Sequence, residues 1–240
     1  MSYLLMAASA GLLAGSSPLS RRYALCAVGS ASCLFGSREA TAAAEPPYRV
    51  AMTILLDPSN PATTAGEVVI EVMPEWAPLA AARFKELIDI GFYTRSRFHR
   101  VLPLYVAQFG VSTNRELNTA WLCKTCKRLP DEPRLQSNKK GTLSFAQASV
   151  KDTRQTQVFF NLVDNGGLPN FLDSQGFTPF ARVISGMDTV EKLYNGYGIM
   201  ESASGGMTGA VNVNKAAYYG EAYLDEVFPK LSIIESVKLL

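Results

Sequence analysis

The chain has 240 residues, of which 48% are hydrophobic and 18% charged, so it can form one domain with an appendage or at most two small domains. Its formal net charge of +2 does not provide the basic surface that is typical of nucleic-acid binding, and we expect no nucleic-acid partner. The single histidine, His99, excludes any metal site that needs two histidine ligands. It also leaves one candidate for every mechanism that needs an imidazole base.

The charges and cysteines are unevenly distributed along the chain. Residues 1–44 contain three arginines, one acidic residue and two of the four cysteines. Residues 45–240 therefore keep 20 basic and 20 acidic side chains, with no net charge. This shift in composition predicts a cleaved presequence over residues 1–44 and a folded domain over residues 45–240.

The leader contains the parts of an export signal in their usual order. Arg21 and Arg22 precede an apolar stretch at 23–36, and alanines at 42–44 supply the small residues of a cleavage site. This order resembles a twin-arginine signal, and a second apolar run at 3–15 makes the whole similar to a bipartite thylakoid-lumen presequence. We predict the thylakoid lumen; a bacterial signal for the periplasm or secretion, or a membrane anchor, are the alternatives. Neither run reaches the roughly 18–20 residues that span a bilayer, so no span is expected in the mature chain.

From residue 46 onward the sequence predicts short strands with few helices. Apolar and β-branched runs predict strands over residues 49–56, 67–73, 97–102, 105–110, 141–148, 156–163, 177–184 and 231–239. Helices are predicted over residues 78–91, 188–194 and 215–226. This mainly β pattern indicates an antiparallel barrel or sandwich.

Five sequence motifs follow one another between residues 66 and 193. They are Phe98-His99-Arg100-Val101 with Gln108 downstream, GTLSFAQA from Gly141 to Ala148, TQVFFN from Thr156 to Asn161, Phe171-Leu172-Asp173, and FARVISGMDTV from Phe180 to Val190. In this order they resemble the motifs of cyclophilins, the cyclosporin-binding class of peptidyl-prolyl cis-trans isomerases. The segment Gln108-Phe109-Gly110, followed by a short insert, is similar to a subgroup seen in bacteria and algae.

The resemblance implies a closed, eight-stranded antiparallel β-barrel with two or three flanking helices. It implies an isomerase without metal or cofactor that acts, as a monomer, on proline-containing polypeptides. The catalytic residues that it implies are Arg100, Gln108 and Phe159. Those implied to bind substrate are Tyr105, Val106, Ala146, Gln147, Gln157, Phe171, Leu172 and Phe177. Phe159 would form the floor of a proline pocket; the neighbouring Phe160 would then point into the core, because strand faces alternate.

The chemistry of the reaction explains why an arginine is suited to it. Rotation about an X–Pro bond is opposed by amide resonance, with a barrier of about 18–20 kcal/mol. The twisted amide nitrogen regains a lone pair, to which the Arg100 guanidinium can donate a hydrogen bond that is stronger in the transition state. No proton has to be removed, so we expect His99 to have a structural or orienting role. The alternative is a peptide-binding or chaperone-like module of the same fold with little turnover.

Two departures from the cyclophilin pattern alter these expectations. Phe171 occupies the position of a tryptophan that donates to cyclosporin in many members, so we predict weakened affinity for cyclosporin-like ligands. Residues 111–138 replace a glycine-rich stretch of the family, and one wall of the groove is therefore not predicted. Gln147 stands where the family has asparagine and is one methylene longer.

The insert also contains Cys123 and Cys126, a C-x-x-C pair. Nearby lysine and arginine side chains would lower the pKa of a thiolate, which suits a redox pair. A plain disulfide or an incidental spacing is the alternative, and a single pair without further ligands is a poor zinc site.

Overall fold

The computed structural model describes residues 45–60, 62–122, 127–198 and 209–240. The predicted presequence at 1–44 and the pair Cys123 and Cys126 lie outside these ranges and stay predictions. Across the described ranges, no helix combines the length and the apolar character needed to cross a membrane.

Eight strands form one sheet in which every neighbouring pair is antiparallel. They are β1 (Tyr48–Leu55), β2 (Ala65–Val72), β3 (Arg100–Val101), β4 (Val106–Phe109), β5 (Thr142–Phe145), β6 (Val158–Asn161), β7 (Pro179–Ser185) and β8 (Ile233–Leu239). Their order across the sheet is β3-β4-β6-β5-β7-β2-β1-β8. Each observed strand matches one that the sequence predicts, although several are shorter than predicted.

A short contact joins the two edges of this sheet. Residues just before β3 pair with the start of β8: the Phe98 N–H donates to the Ser232 carbonyl at 3.0 Å, and the Ile234 N–H donates to the Ser96 carbonyl at 2.9 Å. The sheet therefore curls back on itself as a barrel, closed by a bridge rather than by a full ladder. The predicted fold class, a mainly β antiparallel eight-stranded barrel, is confirmed.

Alternating side chains of the long strands fill the inside of the barrel. Val50, Met52 and Ile54 of β1, and Val68 and Ile70 of β2, are fully buried, whereas their neighbours along each strand are at least partly exposed. This period of two is the pattern of a strand with one buried face. Burying each such side chain contributes about 1.5–3 kcal/mol, so the inner face is the main source of stability.

Four helices lie among the described residues: α1 (Pro78–Asp89), α2 (Arg115–Trp121), α3 (Met187–Glu191) and α4 (Val213–Val227). Helix α1 begins at proline, whose fixed φ suits the first turn, and it buries Phe84 with its ring 5.1 Å from that of Phe180. Helices α1, α3 and α4 correspond to the three predicted helices. Helix α2, within the insert at 111–138, is one that the sequence analysis missed.

Helices α2 and α4 pack on each other beside the barrel. The Asn118 Nδ2 of α2 donates to the Ala217 carbonyl of α4 at 3.1 Å. Gly220 interrupts α4 with φ 66° and ψ −143°, and a Cβ at this position would lie 2.6 Å from the Thr113 carbonyl oxygen. Only glycine combines that backbone conformation with so close an approach, so Gly220 lets α4 lie against the residues that precede α2.

Candidate active site

The register of the sheet places the three predicted catalytic residues side by side. Arg100 of β3 lies opposite Gln108 of β4, and Gln108 lies opposite Phe159 of β6. Residues directly opposite each other in antiparallel strands point to the same face. The three side chains therefore form one row across three neighbouring strands, although they span 59 positions along the chain.

The two adjacent phenylalanines of β6 lie in different environments. Phe160 is fully buried in the main core of the barrel. Phe159 belongs instead to a separate cluster with Val106 and Leu172 on the other face of the sheet. The ring centre of Phe177 lies 5.6 Å from that of Phe159 in a nearly perpendicular arrangement. The alternation of strand faces thus places one phenylalanine in the core and the other in a surface depression.

This depression is a cavity of about 130 Å³. It is lined by Arg100, Tyr105, Val106, Gln108, Ala146, Gln147, Phe159, Leu172 and Phe177, all of which the sequence analysis singled out. Its volume is well below the roughly 300–1,000 Å³ of a pocket that encloses a drug-sized ligand, so it suits one small apolar group. The lining combines apolar and aromatic side chains with the polar groups of Arg100, Gln108 and Gln147.

Two hydrogen bonds join three polar side chains at the cavity. Arg100 Nη1 donates to Gln108 Oε1 at 3.3 Å, and Gln108 Nε2 donates to Gln157 Oε1 at 2.7 Å. The guanidinium carbon of Arg100 also lies 5.8 Å from the centre of the Tyr105 ring. The bond to Gln108 uses one of the five N–H donors that a guanidinium carries, so the group is oriented and keeps donors for a ligand. Gln157 acts through Gln108 and does not itself line the cavity.

Comparison with known proteins identifies the family. The model of the cyclophilin type peptidyl-prolyl cis-trans isomerase family matches residues 60–215. The chain belongs to the cyclophilin family. A peptidyl-prolyl cis-trans isomerase of Acinetobacter baylyi is 34% identical over 135 residues, which cover 55% of this chain and 69% of that protein. Peptidyl-prolyl cis-trans isomerase B of Escherichia coli is 32% identical over 136 residues, covering 55% of this chain and 80% of that protein.

A solved structure supports the fold of this cyclophilin. The chain superposes on a cyclophilin type peptidyl-prolyl cis-trans isomerase of Cryptosporidium parvum with a TM-score of 0.53. The match covers 81% of this chain and 98% of that one, at 18% sequence identity. The barrel is therefore shared at a level of sequence similarity where most side chains differ.

Gln147, which also lines the cavity, has one paired and one unpaired polar group within the described part of the chain. Gln147 Nε2 donates to the Gln175 carbonyl at 2.9 Å, whereas its Oε1 is buried without a hydrogen-bond partner among the described residues. An unpaired buried acceptor costs about 1–3 kcal/mol.

Phe171 does not line the cavity with the other predicted residues. Its side chain is 45% exposed, its φ is 54°, and its N–H donates to the Gly167 carbonyl at 2.7 Å. The next residue, Leu172, is 1% exposed and does reach the cavity. Phe171 is therefore an exposed residue outside the cavity, next in the chain to a residue that lines it.

The loop that carries Phe171 is tied to residues that the sequence analysis did not single out. Asn138 donates from its side chain to Asp173 Oδ1 at 2.8 Å and to the Phe177 carbonyl at 2.9 Å. Burial raises the pKa of Asp173, but the bonds from Asn138 and Ser137 and the charge of Arg134 outweigh it, so the net shift is downward. Asn138 thereby holds the cavity wall in place; its location within the insert gave no local signal of this contact.

His99 precedes Arg100 in the chain, is buried, and is uncharged at neutral pH because its pKa is lowered. Only 7% of it is exposed, and neither ring nitrogen has a hydrogen-bond partner among the described residues. Burial lowers its pKa to about 4, and the charge of Arg100 adds to this shift. The Arg97 backbone and the Gln157 side chain oppose the shift without meeting full hydrogen-bond geometry. The structural or orienting role expected of His99 stays a prediction.

Because the imidazole of His99 is buried, we expect the free energy of unfolding to fall in mild acid. Below its ordinary pKa of about 6.5, His99 takes up a proton in the unfolded chain but not in the folded one, until the pH nears 4. The stabilisation is therefore complete above about pH 6.5 and falls as the pH is lowered, by about 2 kcal/mol between pH 7 and pH 5. Urea unfolding at the two pH values measures this, with His99→Gln as the control that does not titrate. An equal loss in the control would show that other groups are responsible.

Proposed function

We propose that this cyclophilin catalyses cis-trans rotation about X–Pro bonds of polypeptide clients, with the proline ring in the cavity above Phe159. The observation that carries this proposal is the row of Arg100, Gln108 and Phe159, which places an oriented guanidinium beside a small apolar cavity. The relatives in Acinetobacter and Escherichia are named as isomerases of this kind, which supports the same activity here.

The geometry accounts for how rotation would be accelerated. With the proline ring held by Phe159 and its neighbours, the X–Pro nitrogen would lie near Arg100, which Gln108 orients. As the amide twists, its nitrogen becomes a better acceptor, so a hydrogen bond from Arg100 stabilises the transition state more than the ground state. No bond to carbon forms or breaks, and the step requires no general base; a neutral, buried His99 is compatible with this.

A proline-limited refolding assay tests the proposal. The purified protein should accelerate the slow phase that an X–Pro bond imposes on a refolding client, and it should accelerate the isomerisation of a short Ala-Pro peptide. Turnover of both would also separate an enzyme from the alternative of a chaperone-like module with little turnover. An unchanged slow phase and no effect on the peptide would refute the isomerase activity of this chain.

Weak binding of cyclosporin-like ligands is expected from the identity of residue 171. The side chain of Phe171 has no N–H to donate, so we expect Phe171→Trp to tighten cyclosporin binding by about 5- to 10-fold. Turnover of a short peptide should stay unchanged, because Phe171 lies outside the proline cavity. Isothermal titration calorimetry measures the dissociation constant of cyclosporin for both proteins. Wild-type binding as tight as that of a cyclophilin with tryptophan at this position would contradict the prediction.

The proposed location of the protein is the thylakoid lumen, with the periplasm or secretion as the alternative. The support for it is the order of the arginine pair, apolar run and small residues within 1–44. N-terminal sequencing of the protein isolated from fractionated cells identifies the mature end. An intact Met1 in the isolated protein would refute removal of the leader.

A further inference from the structure

The groove does not end at the proline cavity. A second cavity of about 260 Å³ shares Gln108, Ala146 and Gln147 with it. A third, of about 460 Å³, shares Leu122 and Gln157 with the second. The three cavities are therefore neighbours on the protein surface, separated by shared lining residues.

The third cavity is formed by the part of this chain that departs most from the cyclophilin pattern. One wall is α2, which lies in the insert at 111–138, and the other is the start of α4. Most of α4 lies beyond residue 215, where the match to the family model ends. The bond from Asn118 to the Ala217 carbonyl fixes the two helices relative to each other, so the cavity between them is a built feature.

The third cavity is lined by one charged side chain among the described residues. Among the described residues that line the second and third cavities, Arg115 is the one with a charged side chain. Its guanidinium carbon lies 3.9 Å from the centre of the Tyr218 ring, which is itself half-exposed. Arg115 forms no ion pair within the described part of the chain. The contact with the ring holds the exposed guanidinium at the cavity, and a guanidinium carries N–H donors that suit a carboxylate.

We propose that the cavity between α2 and α4 is a specificity subsite that binds an acidic side chain of the client, at a fixed distance along the chain from the isomerised proline. Arg115 would pair with the carboxylate, while the uncharged second cavity accommodates the intervening residues. This inference rests on the proposed isomerase function, because it places the proline of the same peptide over Phe159.

A peptide series tests the subsite with the full-length protein. Each peptide has a central Ala-Pro, and one glutamate is moved through positions two to six on either side; a matched peptide has glutamine at the same position. At one position or two adjacent ones, kcat/KM at low salt should favour glutamate by about 3- to 10-fold. This preference should disappear in Arg115→Gln, and Arg115→Glu should instead favour lysine there. Arg49→Gln removes the same charge from β1, far from the groove in the sheet order, and should keep the preference for glutamate.

The outcomes separate the subsite from the activity itself. A short Ala-Pro peptide that reaches only the first cavity should be turned over equally by the wild type and the Arg115 variants. Wild-type turnover without a glutamate preference at any position, or a preference that survives in Arg115→Gln, overturns the subsite but not the isomerase. If the wild type turns over no peptide, the proposed function fails, and dissociation constants for the same series decide the subsite. A glutamate preference in binding that Arg115→Gln abolishes supports it, and its absence overturns it.

Discussion

Replacing Arg100 with alanine is expected to lower kcat/KM for an Ala-Pro peptide by on the order of 100- to 1,000-fold, the loss seen when one preorganised transition-state donor is removed. The guanidinium is oriented by Gln108 at 3.3 Å and faces the cavity that Phe159 closes. The loss should lie mainly in kcat, because the bond to the amide nitrogen is made in the transition state. Line-shape or exchange NMR on the peptide measures both parameters.

Two further variants make this result specific. Arg100→Lys keeps the charge but loses the planar fork, so an intermediate rate is expected. Gln108→Leu removes the acceptor that orients Arg100 and should lower the rate less than Arg100→Ala does. Thermal unfolding should change little in all three, because both side chains are partly exposed. Turnover that survives in Arg100→Ala would contradict the assigned role, and equal peptide binding with no wild-type turnover would favour the chaperone-like module.

Replacing Glu132 with alanine should produce the largest loss of stability, about 3–5 kcal/mol of the free energy of unfolding. Glu132 pairs with Arg154 at 3.0 Å, and both side chains are at most 5% exposed. Its carboxylate also accepts the N–H groups of Leu79 and Ala80, at 2.6 Å and 3.0 Å, in the first turn of α1. Its removal leaves the guanidinium of Arg154 buried without its counter-ion and the start of α1 without its acceptor. Urea unfolding at pH 7 measures the difference.

An exposed ion pair provides the matched control. Asp188 pairs with Lys192 at 3.4 Å, but both side chains are more than 60% exposed, so Asp188→Ala should cost at most about 1 kcal/mol. The double variant Glu132→Leu with Arg154→Met removes both buried charges and should recover part of the lost stability. If Glu132→Ala costs no more than Asp188→Ala does, then the contacts of Glu132 with Arg154 and α1 do not contribute the expected stability.

The strands were predictable because their signals are local: the long strands β1 and β2 alternate buried with more exposed residues, and short apolar runs mark the others. The motifs around Arg100, Gln108 and Phe159 lie on the short strands β3, β4 and β6. Once strands β3, β4 and β6 pair in register, the alternation of faces dictates that Phe159 points to the groove and Phe160 to the core. The resemblance to cyclophilins supplied the pairing, which composition and spacing do not contain.

The insert shows why other features were not predictable. Helix α2 had a local signal that was overlooked: the Asn114 side chain accepts the N–H groups of Glu116 and Leu117, as a helix N-cap does. No comparable signal marks Arg154, which is buried although arginine is mostly exposed in proteins. Its counter-ion is 22 positions away, and only the folded chain brings the two together.

The sequence by itself thus predicted the strands from patterns of a few positions, and its motifs, through their resemblance to cyclophilins, indicated the family, the barrel and the residues that line the cavity. The tertiary structure alone decided that Phe171 lies outside this cavity, that Glu132 contacts both Arg154 and the start of α1, and that α2 and α4 enclose a cavity with Arg115 in its wall. Each of these depends on contacts between distant segments, and the free energy of such a contact belongs to the pair rather than to either residue.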